Sequence, residues 1–169
     1  LGWSPRRITL STSGIIPEIR RLGQLQPMIN LAVSLNAADD RTRSRLMPIN
    51  KKYPLKQLIA TLKEYPLPSR QHKITYEYIM LKNTNDSEED AVKLARLLNK
   101  RRDKINLIPF NEVDGCRYKS ADADRIHRFQ RVLSDAGYTV MIRNSQGSDI
   151  QAGCGQLASA VDPDDDQDS

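Results

Sequence analysis

The chain has 169 residues with a net charge of +5, and 38% of them are apolar, so it can form about one domain with its own core. No apolar run approaches the ~20 residues that span a bilayer, and the first residues show no signal-peptide pattern. These features predict a cytoplasmic chain with no membrane partner. Because the chain does not begin with Met, we expect it to be a piece of a longer protein.

The charge is distributed unevenly along the chain. Residues 161–169, VDPDDDQDS, contain five Asp and no Lys or Arg, so without them the net charge of +5 becomes +10. We predict one domain over residues 1–160 and a disordered acidic tail over residues 161–169. The basic domain favours an anionic partner such as RNA, although a merely soluble basic surface has the same composition.

Strands and helices alternate along the chain. Runs with high β propensity predict strands within RITLSTSG (7–14), MINLAVSLNA (28–37), KITYEYIML (73–81), KINLIPFN (104–111) and YTVMIRN (138–144). Apolar residues at helical spacing predict one helix in each of the last three intervals: Leu55-Leu58-Ile59-Leu62, Ala91-Leu94-Ala95-Leu98 and Ile126-Phe129-Val132-Leu133. Ser87 or Asp86 is expected to cap the second helix, and Gly137 to end the third.

This order predicts an α/β fold with a parallel sheet built from successive βα units, its strands covered on both faces. In such sheets, ligands bind beyond the carboxyl ends of the strands. Polar residues stand at four of these ends: Ser11-Thr12-Ser13-Gly14, Ser34-Leu35-Asn36, Lys82-Asn83-Thr84-Asn85-Asp86 and Asn111. Turn chemistry explains each group singly, but the four together predict a ligand site at one rim of the sheet.

Cys154 is the strongest candidate for chemistry from the residues alone. It lies between Gly153 and Gly155, which let the backbone approach a ligand closely. A buried small residue, half of a disulfide and a reactive thiolate are all open readings, and the last needs an electropositive, partly exposed setting. By contrast, Cys116 fits a passive loop thiol.

The other candidates are weaker. His72 and His127 have no metal-ligand spacing and are predicted at the surface, and Glu77 lies inside a strand, where a carboxylate is more often paired than catalytic. Basic residues cluster as Arg41-Arg43-Arg45, Lys51-Lys52, Lys100-Arg101-Arg102 and Arg125-Arg128-Arg131. The last set follows one helical face, as phosphate contacts or a solvated surface would.

Six blocks of sequence occur in order between Arg6 and Ala160: RRITLSTSG, AVSLNA, LMPINKKYPL, ITYEYIMLKNTND, KINLIPFN and CGQLA. Together they resemble the carboxyl-terminal part of the RlmN/Cfr-type radical S-adenosylmethionine (SAM) methyltransferases, with the RlmN branch as the closer match. The resemblance implies the second half of a partial (β/α)6 barrel. It also implies an enzyme that methylates carbon 2 of adenine in 23S rRNA and in certain tRNAs.

The resemblance assigns roles to individual residues. Cys154 would be methylated by one SAM molecule, while a 4Fe–4S cluster cleaves a second SAM to the radical that activates this methyl group for addition to adenine. Matching positions assign SAM contacts to Ser11, to Ser34, Leu35 and Asn36, and to Asn111. The family's Cys-x3-Cys-x2-Cys cluster loop is absent from this chain, so no metal ligand is assigned, and we expect the chain alone to be inactive.

Two other functions stay open from the residues: a non-catalytic α/β RNA-binding module that uses the basic helices, and a thiol enzyme that uses Cys154 without a cluster. A half-barrel would also lack its first strands. We therefore expect exposed sheet edges at residues 6–12 and along KINLIPFN, an apolar inner face without its opposite wall, and self-association of the chain. Alternatively, YTVMIRN or the loop after it folds over the open face.

Overall fold

The computed structural model describes residues 8–25, 29–67, 69, 72–112 and 114–143. Within them, the strands are β1 (Thr9–Thr12), β2 (Asn30–Ser34), β3 (Ile74–Met80), β4 (Asp103–Pro109) and β5 (Thr139–Ile142). The helices are α1 (Ile16–Leu22), α2 (Asp40–Leu46), α3 (Ile49–Lys52), α4 (Leu55–Glu64), α5 (Glu88–Leu97) and α6 (Ala123–Asp135). The predicted strands and the three predicted helices are confirmed. Cys154 and the predicted acidic tail lie outside the described residues.

Local sequence explains where the helices begin and end. Ser87 caps α5 in a capping box, in which its hydroxyl accepts from the Asp90 N–H and the Asp90 carboxylate accepts from the Ser87 N–H. Gly137, with φ of 90°, follows α6 in the left-handed conformation that favours glycine. The helices α1, α2 and α3 have seven, seven and four residues, too few for a helical period to be recognised in the sequence.

The strands form one parallel sheet in the order β1-β2-β3-β4-β5, so each strand pairs with its neighbours in the sequence. The β4 strand pairs with β3 over all seven of its residues and with β5 over residues 104–107. The prediction that KINLIPFN forms an exposed edge was therefore wrong, because YTVMIRN extends the sheet instead of folding over its face. In the described part of the chain, the unpaired edges belong to β1 and β5.

The two faces of this sheet differ in chemistry. The first, here called the covered face, packs against α1, α4, α5 and α6, and its strand residues form the main core: Leu31, Val33, Leu35, Ile74, Tyr76, Tyr78, Ile105 and Leu107. Strand alternation directs the intervening side chains to the opposite face, here called the open face: Thr9, Ser11, Asn30, Ala32, Ser34, Thr75, Glu77, Ile79, Lys104, Asn106, Ile108, Thr139 and Met141. Most of these are polar, so the prediction of an apolar inner face was wrong. The helices α1, α4, α5 and α6 all pack on the covered face, instead of covering both faces as predicted.

A second apolar cluster lies at the carboxyl ends of the strands. It contains Leu46, Met47, Leu81, Phe110 and Tyr118. This cluster joins α2 to the loops after β3 and β4, and so fixes the rim at which the ligand site was predicted. None of the helices in the described residues is long and apolar enough to cross a membrane.

Candidate ligand-binding site

Arg43 is a buried cation that ties together the ends of β1 and β2. Its side chain is fully buried. Its Nη2 donates to the carbonyl oxygens of Ser13 at 2.8 Å and Ser34 at 3.2 Å, and its Nε donates to that of Leu35 at 3.1 Å. Its Nη1 donates to the Asn50 Oδ1 at 2.9 Å. The guanidinium therefore fixes the rim backbone at Ser13, Ser34 and Leu35. Of these residues, Ser34 and Leu35 are predicted SAM contacts.

A carboxylate stands behind this guanidinium. Asp40 Oδ1 accepts from Asn50 Nδ2 at 2.9 Å and from the backbone N–H of Leu55, the first residue of α4, at 2.8 Å. Burial lowers the pKa of the Arg43 guanidinium to about 10, and the negative charge of Asp40 opposes that shift. Asp40, Asn50 and Arg43 thus link the start of α4 to the ends of two strands.

Gly14 is required by the approach of this arginine. Its φ is +104°, a conformation that side-chain-bearing residues rarely adopt. A Cβ at this position would lie 3.0 Å from Leu58 Cδ2 and 3.1 Å from Arg43 Nη2. The turn after β1 therefore needs glycine both for its backbone and for its space.

Asn36 follows β2 in the left-handed conformation, with φ of 59°. Its side chain is buried and occupied: Oδ1 accepts from the Ile79 N–H at 3.0 Å, and Nδ2 donates to Met47 Sδ at 3.4 Å. The Asn36 carbonyl accepts from Asn85 Nδ2 at 2.8 Å, while Asn85 Oδ1 accepts from the Leu81 N–H at 2.8 Å. These bonds lock the β2 and β3 loops together at the rim.

The open face carries a side-chain bridge between strands that are not neighbours. Ser11 Oγ on β1 donates to Glu77 Oε2 on β3 at 3.1 Å. The strand between them, β2, presents Ala32 directly opposite Ser11, and its small methyl group leaves room for the bridge to pass over it. Across the next strand pair, Asn106 stands opposite Glu77, and its buried Oδ1 has no hydrogen-bond partner among the described residues.

The predicted SAM contacts divide into three groups. Ser11 and Ser34 lie on the open face, within β1 and at the end of β2. Leu35 and Asn36 are buried beneath the rim, so a ligand above it would meet their backbone before their side chains. Asn111 is exposed just after β4, at the same rim. Cys154, the predicted methyl carrier, lies outside the described residues.

Two of the three arginines predicted along one helical face form ion pairs. Arg125 Nη1 lies 3.0 Å from Asp86 Oδ1, and Arg128 Nε lies 3.6 Å from Glu88 Oε1. Both acids flank the start of α5, so these pairs join α5 to α6. Only Arg131 of this set is without an ion pair in the described residues, which weakens the interpretation of the set as a row of phosphate contacts.

The remaining weak candidates are the two histidines and Cys116. His127 is exposed, and His72 is half-buried with its Nδ1 2.7 Å from Ser69 Oγ. Cys116 is half-buried against the second apolar cluster. Among the described residues, no three His, Cys, Asp or Glu side chains come together as a metal site.

Sequence reasoning missed Arg43 and Asn106 as parts of this site. Arg43 was grouped with surface bases, and nothing in its neighbourhood along the chain marks it as buried. Asn106 had a usable signal, because polar residues alternate with apolar ones along β4 and also along β3, where Thr75 and Glu77 interrupt the apolar run. That period of two indicates strands with one polar face.

Comparisons with known proteins agree with this architecture. The dual-specificity RNA methyltransferase RlmN of Desulfosudis oleivorans is 52% identical over 161 residues, which are 95% of this chain and 43% of that protein. The crystal structure of a radical SAM methyltransferase from Sphaerobacter thermophilus superposes with a TM-score of 0.82 at 40% identity, over 91% of this chain and 45% of that one. No protein-family model matches the chain.

A more distant structure extends the fold comparison. SuiB from Streptococcus suis, solved bound to S-adenosylmethionine, superposes with a TM-score of 0.58 at 15% identity, over 85% of this chain and 34% of that one. At this identity the likeness concerns the fold alone. The chain spans somewhat less than half of the length of the curated relatives that it matches.

Proposed function

We propose that this chain, which is similar over nearly its whole length to RlmN-type radical SAM methyltransferases, forms part of an enzyme that methylates carbon 2 of adenine in 23S rRNA and in certain tRNAs, in the cytoplasm. The observation that carries this proposal is the 52% identity over 95% of the chain to a protein named as a dual-specificity RNA methyltransferase. The matched residues make up 95% of the chain, so the match includes both the rim and the strands below it.

The open face and the rim are the proposed SAM site. When bound there, SAM supplies the methyl group and the radical that such enzymes use. The residues present fit this ligand, because the open face is polar, and the buried Asn106 Oδ1 lacks a donor that a ligand could provide. Ser11, Ser34, Leu35, Asn36 and Asn111 are the proposed contacts, the third and fourth of them through their backbone.

Cys154 is the proposed carrier of the one-carbon unit. In the first transfer its thiolate would attack the SAM methyl group, forming a sulfur–carbon bond as the sulfonium bond breaks. The chain has two cysteines in all, and these cannot supply the three thiolates of a Cys-x3-Cys-x2-Cys cluster loop. We therefore propose that the chain by itself is inactive.

The rival function as a basic RNA-binding module has less support. Its strongest feature was the helical row of arginines, and two members of that row are paired with acids of α5. An RNA substrate remains part of the proposed function, because the relative's name describes it as acting on RNA.

A chimera tests the proposed function. In it, this chain replaces the 161 matching residues of the Desulfosudis oleivorans relative, and transfer of a radiolabelled methyl group to 23S rRNA and tRNA is measured. We expect activity in the chimera and in its Cys116→Ala control, and none in its Cys154→Ala variant. A folded but inactive chimera, or an active Cys154→Ala variant, would contradict the proposal.

Labelling of the isolated chain gives a second test of the carrier role. We expect a thiol-reactive probe to modify Cys154 faster than Cys116, which is half-buried against an apolar cluster. Equal or slower modification of Cys154 in the native protein would contradict the role.

We also propose that the chain self-associates through its sheet edges. Among the described strands, β1 and β5 each pair on one side only, which leaves backbone N–H and C=O groups available for another strand. A two-fold dimer is the simplest product. Light scattering at micromolar concentration is expected to give a dimer, and a monomer would contradict this proposal without touching the enzymatic one.

A further inference from the structure

The charged side chains of the helices are distributed unevenly over the molecule. Residues 41–63, from α2 through most of α4, contain seven Lys and Arg residues and no Asp or Glu. By contrast, three acids stand in the first turn of α5, and α6 carries Asp124 and Asp135 among its arginines. The surface built from α2, α3 and α4 is therefore predominantly basic, whereas that of α5 and α6 has mixed charge.

Four cations at the surface of α2 and α3 have no acidic partner. They are Arg41 and Arg45 of α2 and Lys51 and Lys52 of α3, here called the basic ridge. All four residues are exposed, and none takes part in an ion pair within the described residues. Arg41 and Arg45 are four residues apart, so their side chains start about 6 Å apart on the same side of α2.

The nearest acids along the chain have other partners. Asp39 caps α2 by accepting from the Thr42 N–H at 2.8 Å, and Asp40 Oδ1 accepts from Asn50 Nδ2 and from the Leu55 N–H. Their charges are thus directed at the start of α2 and at the network behind the buried arginine. The basic ridge therefore keeps its positive charge available for a partner in solution.

The basic ridge is held beside the rim of the sheet. Arg43, at the centre of α2, is buried and donates to the carbonyl oxygens of Ser34 and Leu35. Asn50, which directly precedes the two lysines, accepts from Arg43 Nη1 at 2.9 Å. The network that fixes two of the proposed SAM contacts therefore also fixes the basic ridge, so a ligand on the ridge has a defined position relative to the rim.

The basic ridge offers positive charge without apolar surface. The large apolar side chains that are exposed in the described residues are Ile8, Ile15, Leu25, Val92 and Met141, and none of them belongs to α2, α3 or α4. Insertion into a membrane surface and a protein–protein interface both rely on apolar or aromatic anchors. The phosphate groups of a nucleic acid require only cations, and the planar fork of Arg suits them especially well.

We infer that the basic ridge binds the phosphate backbone of the RNA substrate and so guides the RNA to the rim. This inference rests on the proposed function, which brings RNA to this molecule. It goes beyond that function by naming the surface and the four residues that hold the RNA. It also assigns this role to α2 and α3 instead of α6, where Arg125 and Arg128 are paired with acids.

Binding of RNA to the full chain tests the inference without requiring catalysis. The probe is a fluorescein-labelled single-stranded RNA, and its affinity is measured by fluorescence anisotropy between about 50 and 200 mM salt. The ridge variant combines four substitutions: Arg41→Gln, Arg45→Gln, Lys51→Gln and Lys52→Gln. Since each phosphate contact on a single strand contributes ~0.7 to the salt slope, we expect the slope to become shallower by about 3, and the affinity at about 0.1 M salt to fall more than about 100-fold.

A matched control variant removes the same charge from another surface. Its substitutions are Arg96→Gln, Lys100→Gln, Arg101→Gln and Arg131→Gln, at exposed positions on α5, on α6 and in the loop between α5 and β4. We expect its affinity to fall less than about threefold, because charges farther from the RNA than a Debye length of about 10 Å are largely screened. Since all the substituted positions are exposed, both variants should keep the circular dichroism spectrum of the wild type.

The binding results decide the inference separately from the proposed function. Equal losses in the two variants, or no binding of RNA by the wild-type chain, would overturn the inference and leave the proposed function standing. If vesicles of phosphatidylglycerol bind as tightly as RNA and with the same dependence on the ridge, the ridge recognises any phosphate surface and the assignment to RNA is wrong.

Kinetics in the chimera with the Desulfosudis oleivorans relative connect the ridge to methyl transfer. We expect the ridge substitutions to raise the KM for RNA at least about tenfold, through the lost phosphate contacts, and to leave the KM for SAM unchanged. A rise in the KM for SAM alone would place the ridge in cofactor binding and contradict the inference. An inactive wild-type chimera would contradict the proposed function instead.

Discussion

The covered and open faces belong to the same strands, yet they bury their side chains to very different degrees. On β3, Tyr76 and Tyr78 face the helices with at most 2% of their surface exposed, whereas Glu77 between them is half-buried on the open face. The alternation of a strand allows this division, because successive residues point to opposite sides. The same strands therefore serve two purposes. Their residues on the covered face pack the core, and their residues on the open face present polar atoms to a ligand.

The largest effect is expected from a deletion against the covered face. Phe129 on α6 is fully buried, and its ring centroid lies 5.2 Å from that of Tyr78. Phe129→Ala removes this packing and leaves a cavity, so we expect the free energy of unfolding to fall by about 4 kcal/mol. Urea denaturation followed by circular dichroism measures it. A loss below about 1 kcal/mol would show that the covered face is not the main source of stability.

The next effect concerns the rim, where the two faces meet. Arg43→Met keeps much of the side-chain volume but leaves the carbonyl oxygens of Ser13, Ser34 and Leu35 without their donor. We expect a loss of about 3 kcal/mol, since each buried acceptor left unpaired carries a cost. Arg43→Lys keeps the charge without the planar fork, and should lose roughly half as much. Equal losses in both variants would mean that the positive charge of Arg43 does not stabilise the rim, and that its hydrogen bonds alone do so.

A gain of stability is expected from removing a charge that is buried on the covered face. Asp103 lies on the covered face, and burial, partly offset by the Asn99 N–H that it accepts, raises the pKa of its carboxyl to about 6 from 3.8. The folded state therefore favours the protonated form, and stability is lost as pH rises from 3.8 through 6. Asp103→Asn keeps an acceptor without the charge, so we expect it to be more stable by about 2 kcal/mol at neutral pH.

The pH dependence distinguishes this cause from better packing. Thermal melts of the wild type and Asp103→Asn should converge as pH falls below the ordinary carboxyl pKa, where the acid is protonated in both folded and unfolded states. A difference that stays constant between acidic and neutral pH would rule out titration of Asp103 as its source.

The smallest effect is expected on the open face. Met141 on β5 is 54% exposed, so Met141→Ala should change the free energy of unfolding by less than about 0.5 kcal/mol. The same urea experiment that measures Phe129→Ala provides the comparison. A loss comparable with that of Phe129→Ala would mean that the open face is packed in solution, for instance against a second copy of the chain.

The sequence predicted the strands well because their residues have strong β propensity and sit between clear turn signals. It failed on the last strand pair for a physical reason: β propensity does not specify which strands pair, and so it does not specify which strand lies at an edge. Residues of KINLIPFN look the same whether YTVMIRN pairs with them or ends in solvent. Only the fold shows that these two segments are neighbours.

The position of the rim could be predicted from the sequence, but the hydrogen bonds that hold it together could not. Ser11, Ser34 and Asn111 could be placed at one rim, because the carboxyl ends of parallel strands coincide. The burial of Arg43 could not be anticipated, since its acceptors are carbonyl oxygens from β1 and β2 that meet only in the folded sheet. Likewise, the occupied side chain of Asn36 depends on Ile79, 43 residues away.

Because each of the five described strands pairs with its neighbours in the sequence, this part of the molecule is assembled like a short array of repeats. A further βα unit can be added at β1 or at β5 without opening an existing strand pair. For the same reason, local stability should decrease from the central strand towards the two edge strands. Amide hydrogens of β3, which is flanked on both sides, should exchange last, and those of β1 and β5 first, so the array frays from its ends while its central units stay folded.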